Sequence, residues 1–470
     1  MGTRPEDPAT HEPWWNSRRE IFGWTMYTWA FHGFVTTVAT VMLGPYVTGL
    51  AQSAVGANGP VYSNGLLSRI TAKGFFFYCV SLSVFLQLFL LPVLGAIADG
   101  SLLKKRLLAL TAAMGSASTC LLFFVGAPLD FRWGGYLFVI ANLSLGATSV
   151  LHNSFLPEIA SPDRRDAVSS RGYALGYLGG AILLAADLVF MAAGRSRGLS
   201  SGLGVRISLL SAGLWWAGFS VVALRRLRTR APVRPPTGRA ALATALADLR
   251  DALRALGRLR HTRRFLAAYL LFNDGVHTVN AVASVFLAQE LFVNRGRPVD
   301  ETFLLGFMLA VQFVAFAGAM AFARVAARIG AKRALVASLA VWSGAIVYCY
   351  GGLDTTSQAA GAAGVMAMVL GGSQALSRSL FSRMIPPGRE AAFFSLYEVT
   401  NSGTSWIGPF LFAAVVGATN SYREAMLSLI VLFVGGLAIL VLTDTAQAVA
   451  DAGQVERDPT PSRAVVVPAT

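Results

Sequence analysis

The sequence predicts an all-helical integral membrane protein with twelve transmembrane helices in two pseudo-symmetric six-helix halves. Three observations carry this expectation: twelve apolar stretches long enough to cross a bilayer, charge confined largely to the gaps between them, and residue patterns in the second half that repeat those of the first. Hydrophobic residues make up 54% of the chain and charged residues only 13%, about half the charged share of ordinary globular domains. That composition excludes a soluble enzyme.

A spanning helix needs about 20 apolar residues. Stretches without Asp, Glu, Lys or Arg run over 74–98, 107–129, 133–157, 207–224, 302–323, 334–353, 355–377 and 425–443. Stretches 21–50, 172–194, 265–291 and 391–418 complete the twelve, the last three holding Asp187, Asp274 and Glu398 within the span. In lipid the backbone must satisfy its own hydrogen bonds, which makes each of them a helix.

Charge sets the orientation. With the N-terminus and every second loop in the cytoplasm, most of the 39 basic residues fall on that side, as the positive-inside rule requires. Both termini are therefore expected inside, in a cell inner (cytoplasmic) membrane. The net charge of +15 is mostly this topogenic signal, and no basic-aromatic module accompanies it, so no nucleic-acid partner is expected. Residues 1–20 form a polar cytoplasmic segment in which Trp14 and Trp15 sit beside Arg18 and Arg19; lacking a cleavable signal pattern, the first helix reads as an uncleaved anchor. Cys79, Cys120 and Cys349 lie in apolar runs and read as small core residues. Lysines occur only at Lys73, Lys104, Lys105 and Lys332, a bias toward Arg that fits a GC-rich bacterial genome.

A linker over 227–263 separates the six-helix bundles at 21–226 and 264–443. It opens with a basic, Pro-rich stretch and continues with Leu242, Leu246, Leu249, Leu253, Leu256 and Leu259 at three- and four-residue spacing, the pattern of an amphipathic helix. It is expected to lie along the inner membrane surface with its Arg side toward lipid headgroups, tethering the two bundles. The tail, 444–470, is expected to be disordered.

Duplication is visible in particular residues. Tyr27, His32, Gly33 and Thr36 of the first span share their spacing with Tyr269, Asp274, Gly275 and Thr278 of the seventh. Pro162, Arg164 and Ala167 match Pro387, Arg389 and Ala392 at a constant offset of 225. Two repeated halves with a substrate site between them near the bilayer midplane are a common secondary-transporter plan.

Depth selects the candidate site. Asp274 lies ten residues past Arg264, about 15 Å into a core about 30 Å thick, and His32 reaches a similar depth past Glu20. Ionisable residues are costly there and mark function by default. Asp274 is expected to take a proton or contact a substrate ammonium, with His32 or His277 as its partner; an interhelical bond that only fixes packing is the alternative. Glu398, about 12 Å past Glu390, is a second cavity candidate, and Asn142 and Gln374 are expected along the same pathway. The pairs His32-Gly33 and Asp274-Gly275 could mark local unwinding or close packing. Asp99, Glu158, Arg171, Arg378 and Arg389 fall at cytoplasmic helix ends, where a direct Asp99–Arg171 pair is one arrangement.

Gly95, Asp99 and the basic run Lys104, Lys105, Arg106 resemble the signature loop of the major facilitator superfamily; its counterpart after the eighth span has Ala323, Arg328, Gly330, Lys332 and Arg333, with Ala327 where an acid would sit. Within that superfamily the chain resembles the autophagy-linked vacuole effluxer family and its bacterial relatives, often labelled unknown major facilitators. The matching stretches are Leu156-Pro157-Glu158, Ser170-Arg171-Gly172-Tyr173-Ala174-Leu175-Gly176-Tyr177, Asn273-Asp274-Gly275, Gln374-Ala375-Leu376-Ser377-Arg378-Ser379 and Phe393-Phe394 with Tyr397-Glu398. The family's first-span Tyr-Asp-Trp-Ala-Asn-Ser run survives only as Tyr27, Trp29 and Ala30, with Thr28, Phe31 and His32 at its polar positions. The resemblance implies the major facilitator fold, export of amino acids such as leucine, and a cytoplasmic gate formed by Gly95, Asp99, Arg106, Glu158, Arg171, Arg378 and Arg389.

The sequence has no phosphate-cradling Gly-Lys-Ser/Thr loop and no paired metal-ligand histidines, so neither ATP use nor a metal or cofactor is expected. The reading is a monomeric, gradient-driven secondary active transporter of a small solute, amino acids, with the proton as coupling ion and membrane lipid as its solvent. A non-transporting sensor or a lipid-handling protein on the same fold is the alternative.

Overall fold

The computed structural model describes residues 15–56, 59–62, 70, 72, 75–99, 101–228, 241–296, 301–403, 407–419 and 421–457. The described residues of the twelve expected spans are predominantly helical. The first is α1 (Arg18–Gly33), a π-helical segment (Phe34–Met42) and α2 (Leu43–Val55). Then come α3 (Phe75–Asp99), α4 (Lys104–Leu121), α5 (Phe131–Ser154) with the short α6 (Leu156–Ile159), α7 (Arg165–Arg195) and α8 (Ser201–Arg226). After the linker helix α9 (Ala241–Arg258), the second half comprises α10 (Arg260–Leu291), α11 (Glu301–Ile329), α12 (Ala331–Gly351) and α13 (Thr356–Ser382). It ends with α14 (Glu390–Gly403), α15 (Ile407–Thr419), α16 (Tyr422–Ser428), α17 (Ile430–Val441) and α18 (Thr445–Arg457).

Among the described residues, ten helical stretches are long and apolar enough to cross a membrane by length and composition. The other two expected spans are α10, whose polar run through Asn273, Asp274 and His277 lowers its hydropathy, and the eleventh, described as α14 and α15 with 404–406 outside the described residues. The outer surface is apolar, as lipid requires: Phe85, Phe89, Phe124, Trp133, Val189, Phe410 and Val431 are all exposed. Each half has its own core, one around Trp24, Tyr27, Phe34 and Trp216 and the other around Tyr269, Trp342, Phe381 and Phe433.

Glycine and proline shape two of these helices. The first span turns from α- to π-helix just after His32-Gly33, upstream of Pro45, whose missing N–H cannot continue the α-helical ladder. Thr40 Oγ1 satisfies the Val35 carbonyl within the π segment at 2.8 Å. The second glycine considered for unwinding behaves otherwise. Gly275 sits inside the uninterrupted α10, where a Cβ would lie 2.7 Å from the Phe433 ring, so it serves close packing against α17.

One expectation about the ends is corrected, and the linker shows a contact surface of its own. The linker helix forms; within 250–258 Ala252 and Ala255 are buried and Leu253 is half exposed, while the side chains of Leu242, Leu246 and Leu249 lie outside the described residues. Its inner side rests on α3, α10 and α14 of the two bundles, because a protein surface was available to cover it. Beyond Asp444 the chain continues as α18 rather than as disordered tail through Arg457, with Asp444 Oδ1 accepting the N–H groups of Ala446 and Gln447 at 2.9 and 3.0 Å. The expected disorder of 458–470, most of the Pro-rich linker and the first fourteen residues lie outside the described residues.

Candidate functional site

Three helices of the second half, α10, α13 and α14, bring one polar network together. Asn401 on α14 is its hub: Oδ1 accepts from Asn273 Nδ2 at 2.7 Å, from the Tyr269 hydroxyl at 3.2 Å, and lies 3.2 Å from His277 Nε2. Its Nδ2 donates to Glu398 Oε1 at 3.0 Å. Asn273 Oδ1 in turn accepts from Gln374 Nε2 of α13 at 2.8 Å. Helical spacing explains the set, because Tyr269, Asn273 and His277 recur every four residues on α10 and so share one face. His277 is exposed while Asn273, Gln374 and Glu398 are buried, so the network reaches open space at His277. Glu398, Gln374 and His277 were anticipated as pathway residues; Asn401, the residue that joins them, was not.

Asp274 faces a different neighbour. It is 2% exposed, and its Oδ2 accepts the backbone N–H of Gly408, in the first turn of α15, at 2.7 Å. Neither His32 nor His277 is its partner, contrary to expectation: His277 is engaged by Asn401, and His32 packs edge-on against the rings of Tyr173 and Tyr177 with Gly176 closing over it. His277 follows Asn273 by four residues on α10 and turns with it toward Asn401. Asn142 is also elsewhere. It donates to Ser83 Oγ at 2.8 Å and so ties α5 to α3 within the first half.

Between the halves lies a buried cation. Arg378, only 2% exposed, donates from Nε to Ser169 Oγ at 3.0 Å, from Nη2 to the Ser169 carbonyl at 2.8 Å and from Nη1 to Asn153 Oδ1 at 3.2 Å. Its guanidinium carbon lies 4.1 Å from the Tyr173 ring centre and 4.7 Å from that of Trp24. No carboxylate among the described residues pairs with it, so hydrogen bonds and aromatic faces carry the charge. A place at a cytoplasmic helix end was expected. Arg378 lies one turn from the end of α13 and is buried under α1, α5 and α7, because the two bundles close over it.

Around Arg378 the halves meet on the side that carries the linker helix. Asp99, at the end of α3, accepts the N–H groups of Ala391 and Ala392 at 2.8 and 2.7 Å and so caps α14 of the other half. Lys104 bridges Glu158 at 2.5 Å and Asp99 at 3.7 Å. Gly95 makes this approach sterically feasible, since a Cβ there would lie 2.5 Å from the Ala391 carbonyl oxygen. Asp166 adds an ion pair to Arg383 at 2.6 Å and accepts from Ser379 Oγ at 2.6 Å. The Asp99–Arg171 pair does not form: Arg171 is exposed, as is Arg106, and Asp99 is spent on α14 and Lys104. Arg389 donates to the Asp251 carbonyl of α9 at 3.0 Å, which joins the gate region to the linker. Asp166, Ser169 and Arg383 were missed, although Asp166 sits beside the repeated Pro162, Arg164 and Ala167.

The protein resembles known proteins over nearly its whole length. The family model described as vacuole effluxer Atg22 like matches residues 16–453. The MFS-type transporter YxiO of Bacillus subtilis is 25% identical over 421 residues, 89% of this chain and 93% of that protein. Autophagy-related protein 22-1 of Penicillium rubens is 27% identical over 550 residues, 93% and 91% of the two chains. Among solved structures, the major facilitator superfamily transporter FucP in its outward conformation superposes with a TM-score of 0.68 at 12% identity, over 91% of this chain and 100% of FucP. The human organic anion transporter MFSD10 superposes with a TM-score of 0.64 at 15% identity, over 90% and 98%. These two likenesses establish the major facilitator fold.

Proposed function

The chain belongs to the Atg22-like family of major facilitator transporters, and from that premise we propose that it moves amino acids across the cytoplasmic membrane by alternating access, coupled to protons. The observation that carries the reading is the Asn401-centred network. It sets donors and acceptors from Gln374, Asn273, His277 and Glu398 within one hydrogen-bonded set inside an otherwise apolar bundle. Polar groups held at such a cost are suited to a zwitterion, which needs both a carboxylate acceptor for its ammonium and donors for its carboxylate.

On this reading the linker side is cytoplasmic, as the distribution of basic residues argues, and both termini lie there. The Arg378 cluster, the Asp99 cap and the Asp166–Arg383 pair form a closed inner gate, and the transporter faces outward. Individual intramembrane hydrogen bonds contribute about 0.6 kcal/mol on average. A gate assembled from several of them holds firmly yet opens when substrate offsets a few kcal/mol. Protons are carried by the buried carboxyl groups Asp274 and Glu398, and the protein works as a monomer.

The test is uptake of a panel of labelled amino acids into proteoliposomes of the purified chain, with and without an imposed proton gradient. Gradient-stimulated flux is expected. Absence of flux for every amino acid, from folded protein, refutes the substrate assignment.

One observation favours a second reading, lipid handling. An apolar cavity within the second half is lined by Val279, Ala283, Phe286, Leu287, Val311 and Trp342. Transfer of fluorescent lipid between leaflets, blocked by Ala283→Trp while amino-acid flux stays at zero, would replace the transport of amino acids with this activity.

A further inference from the structure

Helix α7 carries a buried acid outside both the Asn401 network and the inner gate. Asp187 is 5% exposed and faces Ser211 of the neighbouring α8. It lies eight residues before Arg195, which ends α7 on the side away from the linker, so it sits about 12 Å in from that end. Asp187 Oδ1 is 2.9 Å from Ser211 Oγ, whereas Oδ2 is buried with no hydrogen-bond partner. Ser211 Oγ is also 2.8 Å from the Ser208 carbonyl oxygen on its own helix.

The two short contacts of Ser211 need two hydrogens, and a hydroxyl owns one. A carbonyl oxygen only accepts, so the contact with Ser208 takes the Ser211 hydrogen. The contact with Asp187 then has a hydrogen of its own when the carboxyl is protonated and donates from Oδ1 to Ser211 Oγ. Protonation also explains the bare Oδ2. An ionised Asp187 would share one hydroxyl hydrogen with a carbonyl and leave its other oxygen unpaired, an expensive arrangement for a charge in a membrane interior.

We propose that Asp187 is a proton-binding site of the first half, loaded while the halves are closed on the linker side and exchanging its proton where α7 and α8 meet. The site adds a third carboxyl to Asp274 and Glu398 and does not depend on the solute. Release is balanced: the proton passes from Oδ1 to water, and the Ser211 hydrogen turns from the Ser208 carbonyl to the carboxylate. Because α7 also holds Arg378 through Ser169 and Tyr173, one helix carries both the proton and a wall of the gate.

No second ion governs Asp187. Helices α1, α6, α8, α11 and α13 and the π-helical segment pack against α7, and the π-helical segment carries no titratable side chain. Of the other acids on these helices, Glu20, Glu158 and Asp166 lie at the linker end, and Glu301 opens α11 at the opposite end. Arg206 of α8 is the cation nearest in sequence to Ser208, and it is turned to the Phe123 ring, 5.7 Å away. Arg195 ends α7, and the remaining Arg residues of these helices sit toward the linker end. On α1, His32 packs on Tyr173 and Tyr177 of α7, and Tyr27 stacks on His152. Behind α8, Tyr46 of α2 donates to the Val125 carbonyl and Cys120 of α4 packs at Gly213.

Infrared spectra of the full chain in lipid nanodiscs test the site, because a protonated carboxyl has a C=O band that a carboxylate lacks. In neutral buffer the wild type is expected to show one carboxylic acid more than Asp187→Asn, whose amide can still donate to Ser211; Asp274 and Glu398 are common to both proteins and cancel. That band should vanish reversibly as the buffer is made alkaline. Ser211→Ala should keep the band and move it to the position of an unbonded acid, and Glu301→Gln should leave it unchanged. Equal spectra for wild type and Asp187→Asn would overturn the proposal, as would a band that stays unmoved in Ser211→Ala. A band that persists in strongly alkaline buffer would make the proton a fixed part of the structure, and its loss on adding sodium at constant pH would make the site one for sodium; either result overturns the assignment. Flux assays are independent of this readout: a proton bound at Asp187 without amino-acid flux retires the substrate and keeps the site, and flux without the band does the reverse.

Discussion

Arg378 Nη1 donates to Asn153 Oδ1 at 3.2 Å across the interface between the halves, and the two residues are 225 positions apart, the offset that relates Pro162 to Pro387 and Arg164 to Arg389 in the repeat. Equivalent residues of two related halves can touch only close to the axis that exchanges them. The pair therefore marks that axis at the closed end of the bundle. The duplicated sequence has diverged there into an amide on one side and a cation on the other, which supplies a donor and an acceptor where two identical residues would compete.

Replacing Arg378 by Met should leave the fold intact, since removing a buried charge relieves its desolvation, but should release the latch. Accessibility of a cysteine introduced at Ser169 to a membrane-impermeant thiol reagent added from the linker side is expected to rise at least tenfold in Arg378→Met over the cysteine-only control. Arg378→Lys keeps the charge without the fork that holds Ser169 and Asn153 together, so it should behave as Met does. A Lys variant indistinguishable from wild type would assign the role to charge alone.

Gly95→Ala places a methyl group 2.5 Å from the Ala391 carbonyl oxygen. Overpacking of this kind costs about 1–3 kcal/mol, and because the clash is between halves it should be relieved by opening the linker side. Thermal unfolding and thiol accessibility, measured together, check this: a lower melting temperature with unchanged accessibility would place the strain within a bundle instead.

Asp99→Ala deprives α14 of its cap, a loss of about 0.5–2 kcal/mol. As the cap crosses between halves, that energy belongs to the closed state, and the linker-open population should grow between about twofold and thirtyfold. Asp99→Asn retains an acceptor and should fall between the two. Spin-label distances between α3 and α14 read the populations directly.

Asn401→Ala removes the acceptor shared by Tyr269, Asn273 and His277 and the donor to Glu398 in one step. Substrate flux should drop by at least tenfold while expression and oligomeric state are unchanged. An Asn401→Ala protein with wild-type flux would dissociate the network from transport.

Asp444 is exposed, and its bonds to the backbone N–H groups of Gln447 and Ala446 hold its carboxyl below the ordinary carboxylate range. Depression means that the support it gives α18 is present above the unfolded value and is lost as pH falls through the lowered folded one. Protection of the α18 amides, taken against the intrinsic exchange rate at each pH, should therefore fall on acidification below the usual carboxylate range, and Asp444→Ala should show the lowered protection at every pH.

Much of the candidate site was legible in residue types and spacing, and its connections were not. Gln374, His277 and Glu398 stand out because polar residues within apolar runs are conspicuous, and they do share a network. Asn401 was passed over although it lies within the 391–418 span, three residues after Glu398, because an uncharged amide stands out less than the acid beside it. Asp274 was given the wrong partner, since a backbone N–H has no signature in a side-chain sequence.

What the amino-acid order determined by itself is the set of spans, the division into halves and the fold they imply, because transfer of a segment into lipid depends on its own composition and adds up residue by residue. The tertiary structure alone decided which groups meet. Each step along an α-helix turns the next side chain by about 100°, so the neighbours of Arg378, Asp274 and Asp99 follow from the rotation and close approach of helices, fixed by glycines such as Gly95 and Gly408 and by the meeting of the two halves.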